Sequence, residues 1–134
     1  GFFETAIELN PNSVEAKYNL AYSLQEFKPT SRAYLNKARQ EYRAIVELDP
    51  NNAAASFNQG YIHLEYLQNY DSAVHHFSMA IEALPYYHQA FFNRGLANES
   101  LGRNDEAELD YREALSIKPD YTAAALALER VLDQ

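Results

Sequence analysis

The chain has 134 residues, a net charge of −8, 47% apolar residues, four Gly, five Pro and no Cys. That apolar content suits a folded chain and not a disordered one, and the negative field opposes a nucleic-acid groove. The absence of thiols excludes a disulfide framework and a thiolate zinc site. No apolar run approaches the roughly 20 residues of a membrane-spanning helix, and the first residues lack a signal-peptide pattern. The compartment stays open, with cytoplasm the expected one. The chain begins with Gly1 and not Met, which reads as a segment of a longer protein.

One stretch serves as a ruler for the rest. Residues 88–121 place Gly95 in a first helical segment, break it at Gly102, and continue with Ala107, Tyr111 and Ala114 at helical spacing before Pro119 ends the second segment. Laid over the whole chain, this pattern gives three matched columns: Phe3, Tyr42, Phe77 and Tyr111; Ala6, Ile45, Ala80 and Ala114; Pro11, Pro50, Pro85 and Pro119. All three share the same unequal steps, which establishes an internal repeat.

In chain order, the columns predict eight helices, near 2–9, 14–27, 31–47, 53–68, 70–84, 88–101, 105–117 and 122–132. Residues 1–11 are the second helix of an incomplete repeat. Because a repeat buries its apolar side only against its neighbours, Phe2, Phe3 and Ile7 are expected to be covered by preceding chain or by another molecule. Residues 12–52 are a full repeat, opened by Asn12 and Glu15 as a reciprocal cap, with an insertion near 28–32. Pro29 belongs outside a helix, Thr30 and Ser31 are good caps, and the insertion is expected to lengthen the following helix by about a turn at its start. Residues 53–87 form a repeat with one extra residue, placed at Glu65 to Gln68, and a weak cap after it at Tyr86 and Tyr87. Residues 88–121 form the most regular repeat. Residues 122–134 start another copy but put Glu129 where Ala21, Gly60 and Gly95 let two backbones approach; they read as a capping helix with a polar outer face.

Candidate chemistry is sparse. His75 and His76 are adjacent and about 100° apart on a helix, with no HExxH motif and no His pair at i, i+4, so neither a metal site nor a cofactor is expected. No Gly is followed by the Lys-Ser or Lys-Thr of a phosphate loop, and no nucleophile has an orienting base; the chain is not expected to be an enzyme. Charge is uneven: Lys28, Arg32, Lys37, Arg39 and Arg43 against Glu41 give residues 28–43 a local +4, while Asp105, Glu106, Glu108, Asp110 and Glu113 crowd the last full repeat. This suits solvated outer faces, or head-to-tail contact between copies.

The 34-residue period with Gly, Ala, aromatic and Pro at these places resembles the tetratricopeptide repeat, over nearly the whole chain. The resemblance implies an all-α, right-handed superhelical solenoid whose first helices line a concave groove that binds an extended peptide or partner protein. The matching groove positions are Tyr18, Asn19 and Tyr22; Phe57, Asn58 and Tyr61; Phe92, Asn93 and Leu96. An Asn amide has both donor and acceptor and can hold a peptide backbone whatever its side chains, and the central Asn58 is the first candidate for that role. One subtype of the family grips a terminal carboxylate with Lys and Arg; here Tyr18, Gln89 and Asn93 stand where those cations would be, so a carboxylate clamp is not expected. The alternatives are a self-assembling structural segment, homo-oligomeric through its uncovered half repeat, and a substrate-docking arm of a larger enzyme.

Overall fold

The structure, a computed structural model, describes residues 14–27 and 32–134. Among them are seven α-helices and no strand: α1 Val14–Phe27, α2 Arg32–Leu48, α3 Ala53–Ile62, α4 Tyr70–Ala83, α5 His88–Ser100, α6 Asn104–Ile117 and α7 Thr122–Leu132. The expected helix at 2–9, the cap at Asn12, and Pro29, Thr30 and Ser31 lie outside the described residues. Each helix packs chiefly on its neighbours in sequence, so the chain is an all-α solenoid with α1/α2, α3/α4 and α5/α6 as its full repeats and α7 stacked on the last. The core is accordingly a string of clusters, one at α1/α2, one around Phe77 and one around Tyr111 that ends at Ala127 and Val131 of α7.

One contact recurs in every repeat. Tyr42, Phe77 and Tyr111 of the second helices are fully buried, and each meets a ring of its own first helix: Tyr18 on Tyr42 at 5.7 Å, Phe57 on Phe77 at 5.5 Å and Phe92 on Tyr111 at 5.9 Å between centroids. These separations suit tilted and edge-on aromatic packing. Space for the inner ring comes from Ala21, Gly60 and Gly95. A Cβ on Gly60 would lie 2.8 Å from the Phe77 ring, and one on Gly95 would lie 2.5 Å from Tyr111. Ala38, Ala73 and Ala107, fully buried on the second helices, complete the close approach.

The two irregular repeats absorb their extra residues differently. Helix α2 has 17 residues where α4 and α6 have 14, and the three additional residues precede Ala38, as the insertion predicts. In α3 the single extra residue is taken up as a π-helical turn, His63–Leu67, closed by Gln68 in the left-handed conformation at φ 50°. Gly102, at φ 77°, ends the first helix of the next repeat without that strain. Asn52 accepts a hydrogen bond from the Ala55 N–H at 3.0 Å, capping α3, whereas Tyr87 precedes α5 with no side-chain cap. Helix α7 buries Ala124, Ala127 and Val131, but its exposed residues include Leu126 and Leu132 beside Glu129. That surface is therefore mixed and not uniformly polar.

The π-turn also turns His63 inward. Its ring is buried and stacks on His76 of α4 at 5.2 Å with 9° between planes, and His75 meets His76 edge-on. Burial above all, aided by Arg39, pushes His63 down to about 4; burial, then His63, His75, Arg39 and Arg43, do the same to His76. Both imidazoles are neutral at pH 7, and neither Nδ1 has a hydrogen-bond partner.

Two outcomes follow from this packing. Ala in place of Gly gains about 1 kcal/mol in helix propensity, but overpacking costs about 1–3 kcal/mol. Because the Tyr111 hydroxyl is tethered to Glu99 at 2.7 Å and Phe77 has no such tether, urea denaturation should show Gly95→Ala to be net destabilising, and more so than Gly60→Ala. For the histidines, the unfolded chain takes up protons near the ordinary value of 6.5 and the folded chain only near 4. Stability is thus full above pH 7 and falls as pH drops from 6.5 through 4; thermal melts across that range should show a shallower fall for His63→Gln than for the parent.

Candidate functional site

The first helices α1, α3 and α5 stand side by side, and their matched positions form three rows across the array. The row of Tyr18, Phe57 and Phe92 is part-buried, because each ring is committed to the second-helix ring beneath it. The row of Asn19, Asn58 and Asn93 runs from exposed through buried to part-buried. The row of Tyr22, Tyr61 and Leu96 presents partly exposed apolar surface, with Tyr22 the most open at 48%.

The three Asn residues do different work. Both N–H groups of Asn58 are used inside the fold, one donated to the Tyr18 hydroxyl at 2.9 Å and one to the Ala54 carbonyl at 2.8 Å. Asn58 thereby ties α3 to α1. Asn93 makes the same bond to the carbonyl four residues back, at Gln89, 2.9 Å. The residue in the Tyr18 place one repeat earlier is Phe57, which has no hydroxyl to receive the second N–H. Asn19 is exposed on α1. The amides in a position to meet a ligand are thus those at the two ends of the row.

Two further rings, Tyr87 and Tyr121, pack on the rings of this face. Tyr87 stacks on Phe57 at 5.0 Å with 19° between planes, and Tyr121 packs on Phe92 at 5.2 Å. Each lies two residues after a repeat-ending Pro, where the earlier repeat has the capping residue Asn52. The signal was there in the column Asn52, Tyr87, Tyr121, in which a hydrogen-bonding cap is exchanged for a stacked ring. Burial raises the Tyr87 phenol to about 12, and also raises Tyr18 against the opposing Asn58 hydrogen bond. These hydroxyls are neutral at physiological pH.

Two clefts mark the ends of the face. One, of about 310 Å³, lies between the starts of α1 and α3 and is lined by Glu15, Tyr18, Asn19 and Asn52. The other, of about 420 Å³, is lined by Leu64, Glu65, Leu96, Glu99, Ser100 and Arg130, where the last turns of α3 and α5 meet α7. In the second, Arg130 donates two hydrogen bonds to Glu99, at 2.7 and 2.8 Å, and the Tyr111 hydroxyl donates a third. Arg130 chiefly holds the Glu99 carboxyl below the usual carboxylate range, while burial and Glu99 push the Tyr111 phenol up. This triad locks α7 to the preceding repeat. Tyr18, Gln89 and Asn93, where a carboxylate clamp needs cations, offer only a hydroxyl and two amides.

Comparison with known proteins agrees with this architecture. Residues 88–121 match the family described as tetratricopeptide repeat. The chain is 42% identical over 53 residues to the Hsp70-Hsp90 organizing protein 2 of Arabidopsis thaliana, a match that takes in 40% of this chain and 9% of that protein. Among solved structures it superposes on the Arabidopsis OM64 TPR domain with a TM-score of 0.81 at 26% identity, covering 90% of this chain and 95% of that one. It also superposes on the first TPR of Spaghetti (RPAP3) bound to the HSP90 peptide SRMEEVD, with a TM-score of 0.74 at 23% identity, over 87% and 93% of the two chains. Residues 88–121 thus match a tetratricopeptide repeat, and the chain as a whole shares the fold of solved TPR domains.

The Asn row separates under mutation. Asn58→Ala removes the hydrogen bonds to the Tyr18 hydroxyl and to the Ala54 carbonyl and should cost about 1–2 kcal/mol in urea denaturation. Asn93→Ala loses one local bond near the surface and should stay within about 0.5 kcal/mol of the parent.

Proposed function

We propose that the chain is a protein-interaction scaffold that holds an extended segment of a partner protein along the inner face of α1, α3 and α5. The observation that carries this reading is the row of Tyr22, Tyr61 and Leu96, in which Tyr22 is exposed and Tyr61 and Leu96 keep part of their apolar surface in solvent while Ala21, Gly60 and Gly95 beside them are buried. Asn19 and Asn93 flank it with amides able to bond a peptide backbone in either sense. The HSP90 peptide bound to the Spaghetti repeat domain supports peptide binding as a use of this fold.

The mode of binding proposed here differs from capture of a chain terminus. Two or three backbone hydrogen bonds at about 0.5–1.5 kcal/mol each fall short of the roughly 8 kcal/mol of micromolar affinity. Burial of Tyr22, Tyr61 and Leu96 supplies much of the remainder. With no cation at the places of Tyr18, Gln89 and Asn93, a terminal carboxylate finds no counter-charge and an internal segment binds as well as an end.

Tyr22→Ala and Asn93→Ala, combined, should weaken binding of a captured partner segment at least tenfold by fluorescence anisotropy while helicity by circular dichroism is unchanged. Amidating the C-terminus of that segment should leave its affinity within twofold. Unchanged binding by the double variant contradicts the groove, and a tenfold loss on amidation contradicts the internal-segment mode.

A further inference from the structure

The charges of the first helices go further than the shape of the face and specify the chemistry of its occupant. Among the described residues, α1, α3, α5 and α7 carry three cations, Lys17, Arg94 and Arg130. Each is already held: Lys17 lies 3.8 Å from Glu41, Arg94 grips Asp110 at 2.7 Å, and Arg130 grips Glu99 at 2.7 Å. Arg94 is engaged further, because its other nitrogens reach both Asp110 oxygens and the Ser78 hydroxyl.

The carboxylates of the same face are treated differently. Glu15 lines the first cleft and Glu65 the second, both are exposed, and neither has a cation partner among the described residues. Glu15 sits in the first turn of α1, where the helix dipole favours a carboxylate whether or not a ligand is present. Glu65 has no such local reason. It sits inside the π-turn, where its backbone carbonyl is held by the Gln68 amide at 2.9 Å while its side chain is left at the cleft. On α1, Glu15 and Tyr22 share a face at i, i+7, and Tyr61 precedes Glu65 by four residues at the end of α3; electron-rich rings attract ammonium and guanidinium groups.

Resting on the groove reading above, we infer that the partner segment is a basic one: an extended peptide whose Lys or Arg side chains lie over Tyr22 and Tyr61 and end at Glu15 and Glu65. An acidic segment is disfavoured on the same face, since among the described residues it would meet two carboxylates with no cation partner and no cation that is not already paired. The net charge of −8 extends the preference beyond contact range by steering basic chains toward the surface, an effect that weakens with salt.

The test is selection from a library of random nine-residue peptides, acetylated and amidated, against the 134-residue chain. The expected result is at least a tenfold excess of Lys and Arg over Asp and Glu among the bound peptides. The strongest basic peptide should then lose at least fivefold in affinity on Glu15→Gln with Glu65→Gln, and its binding should weaken between 50 and 300 mM salt. Bound peptides with no charge bias, or an acidic bias, overturn the inference while leaving the groove in place if Tyr22→Ala still weakens them. Recovery of no peptide overturns both readings. A basic peptide indifferent to the double Gln variant places the attraction elsewhere, on the acidic outer surface of α6, and overturns the assignment to Glu15 and Glu65.

Discussion

The seating of one buried ring on one missing side chain determines the rest of the molecule. Tyr111 over Gly95 and Phe77 over Gly60 approach the first helix closer than a Cβ allows, and in the first full repeat Tyr42 is equally buried with the small Ala21 at the matching position. Because the inner ring fills the space between helices, the outer ring of the same repeat, at Tyr18, Phe57 or Phe92, is pinned against it. Its orientation on the first-helix face is fixed by the core. The proposed groove is therefore an extension of the packing, which limits the ordering cost of binding.

The fold was legible in the sequence because this packing demands particular residues at fixed spacing. Gly95, Ala107, Tyr111 and Pro119 each answer a steric requirement, so their copies at other positions mark the same geometry. The five-residue insertion could be read as a longer α2 for the same reason. The π-turn was less legible: the extra residue was placed correctly near Glu65, but whether it would loop out or overwind the helix depends on the His63 and His76 stack, which joins residues thirteen apart in the chain.

The site was only partly legible. Column matching brings Asn19, Asn58 and Asn93 to one row, yet it treats them alike, and their roles are set by what stands opposite. Tyr18 has a hydroxyl for Asn58, whereas Phe57, in the same column, has none for Asn93. Tyr87 reads as a poor helix cap because a cap is a local feature, while the packing of Tyr87 on Phe57 and of Tyr121 on Phe92 ties the end of each repeat back to the first helix of the same repeat. The pairing of Lys17, Arg94 and Arg130 with second-helix or neighbouring carboxylates is equally nonlocal. It turns a groove with an apparently balanced set of charges into one whose remaining charge is negative.

The central claim is that the inner face of the first helices is the working surface. Backbone amide chemical-shift mapping during titration with a bound basic peptide tests it most directly. The account predicts that the largest changes fall on residues 18–22, 57–65 and 92–100, including Tyr22, Tyr61 and Leu96. Changes concentrated instead on the outward residues of α2, α4 and α6, around Arg43, His75 or Leu109, would contradict it.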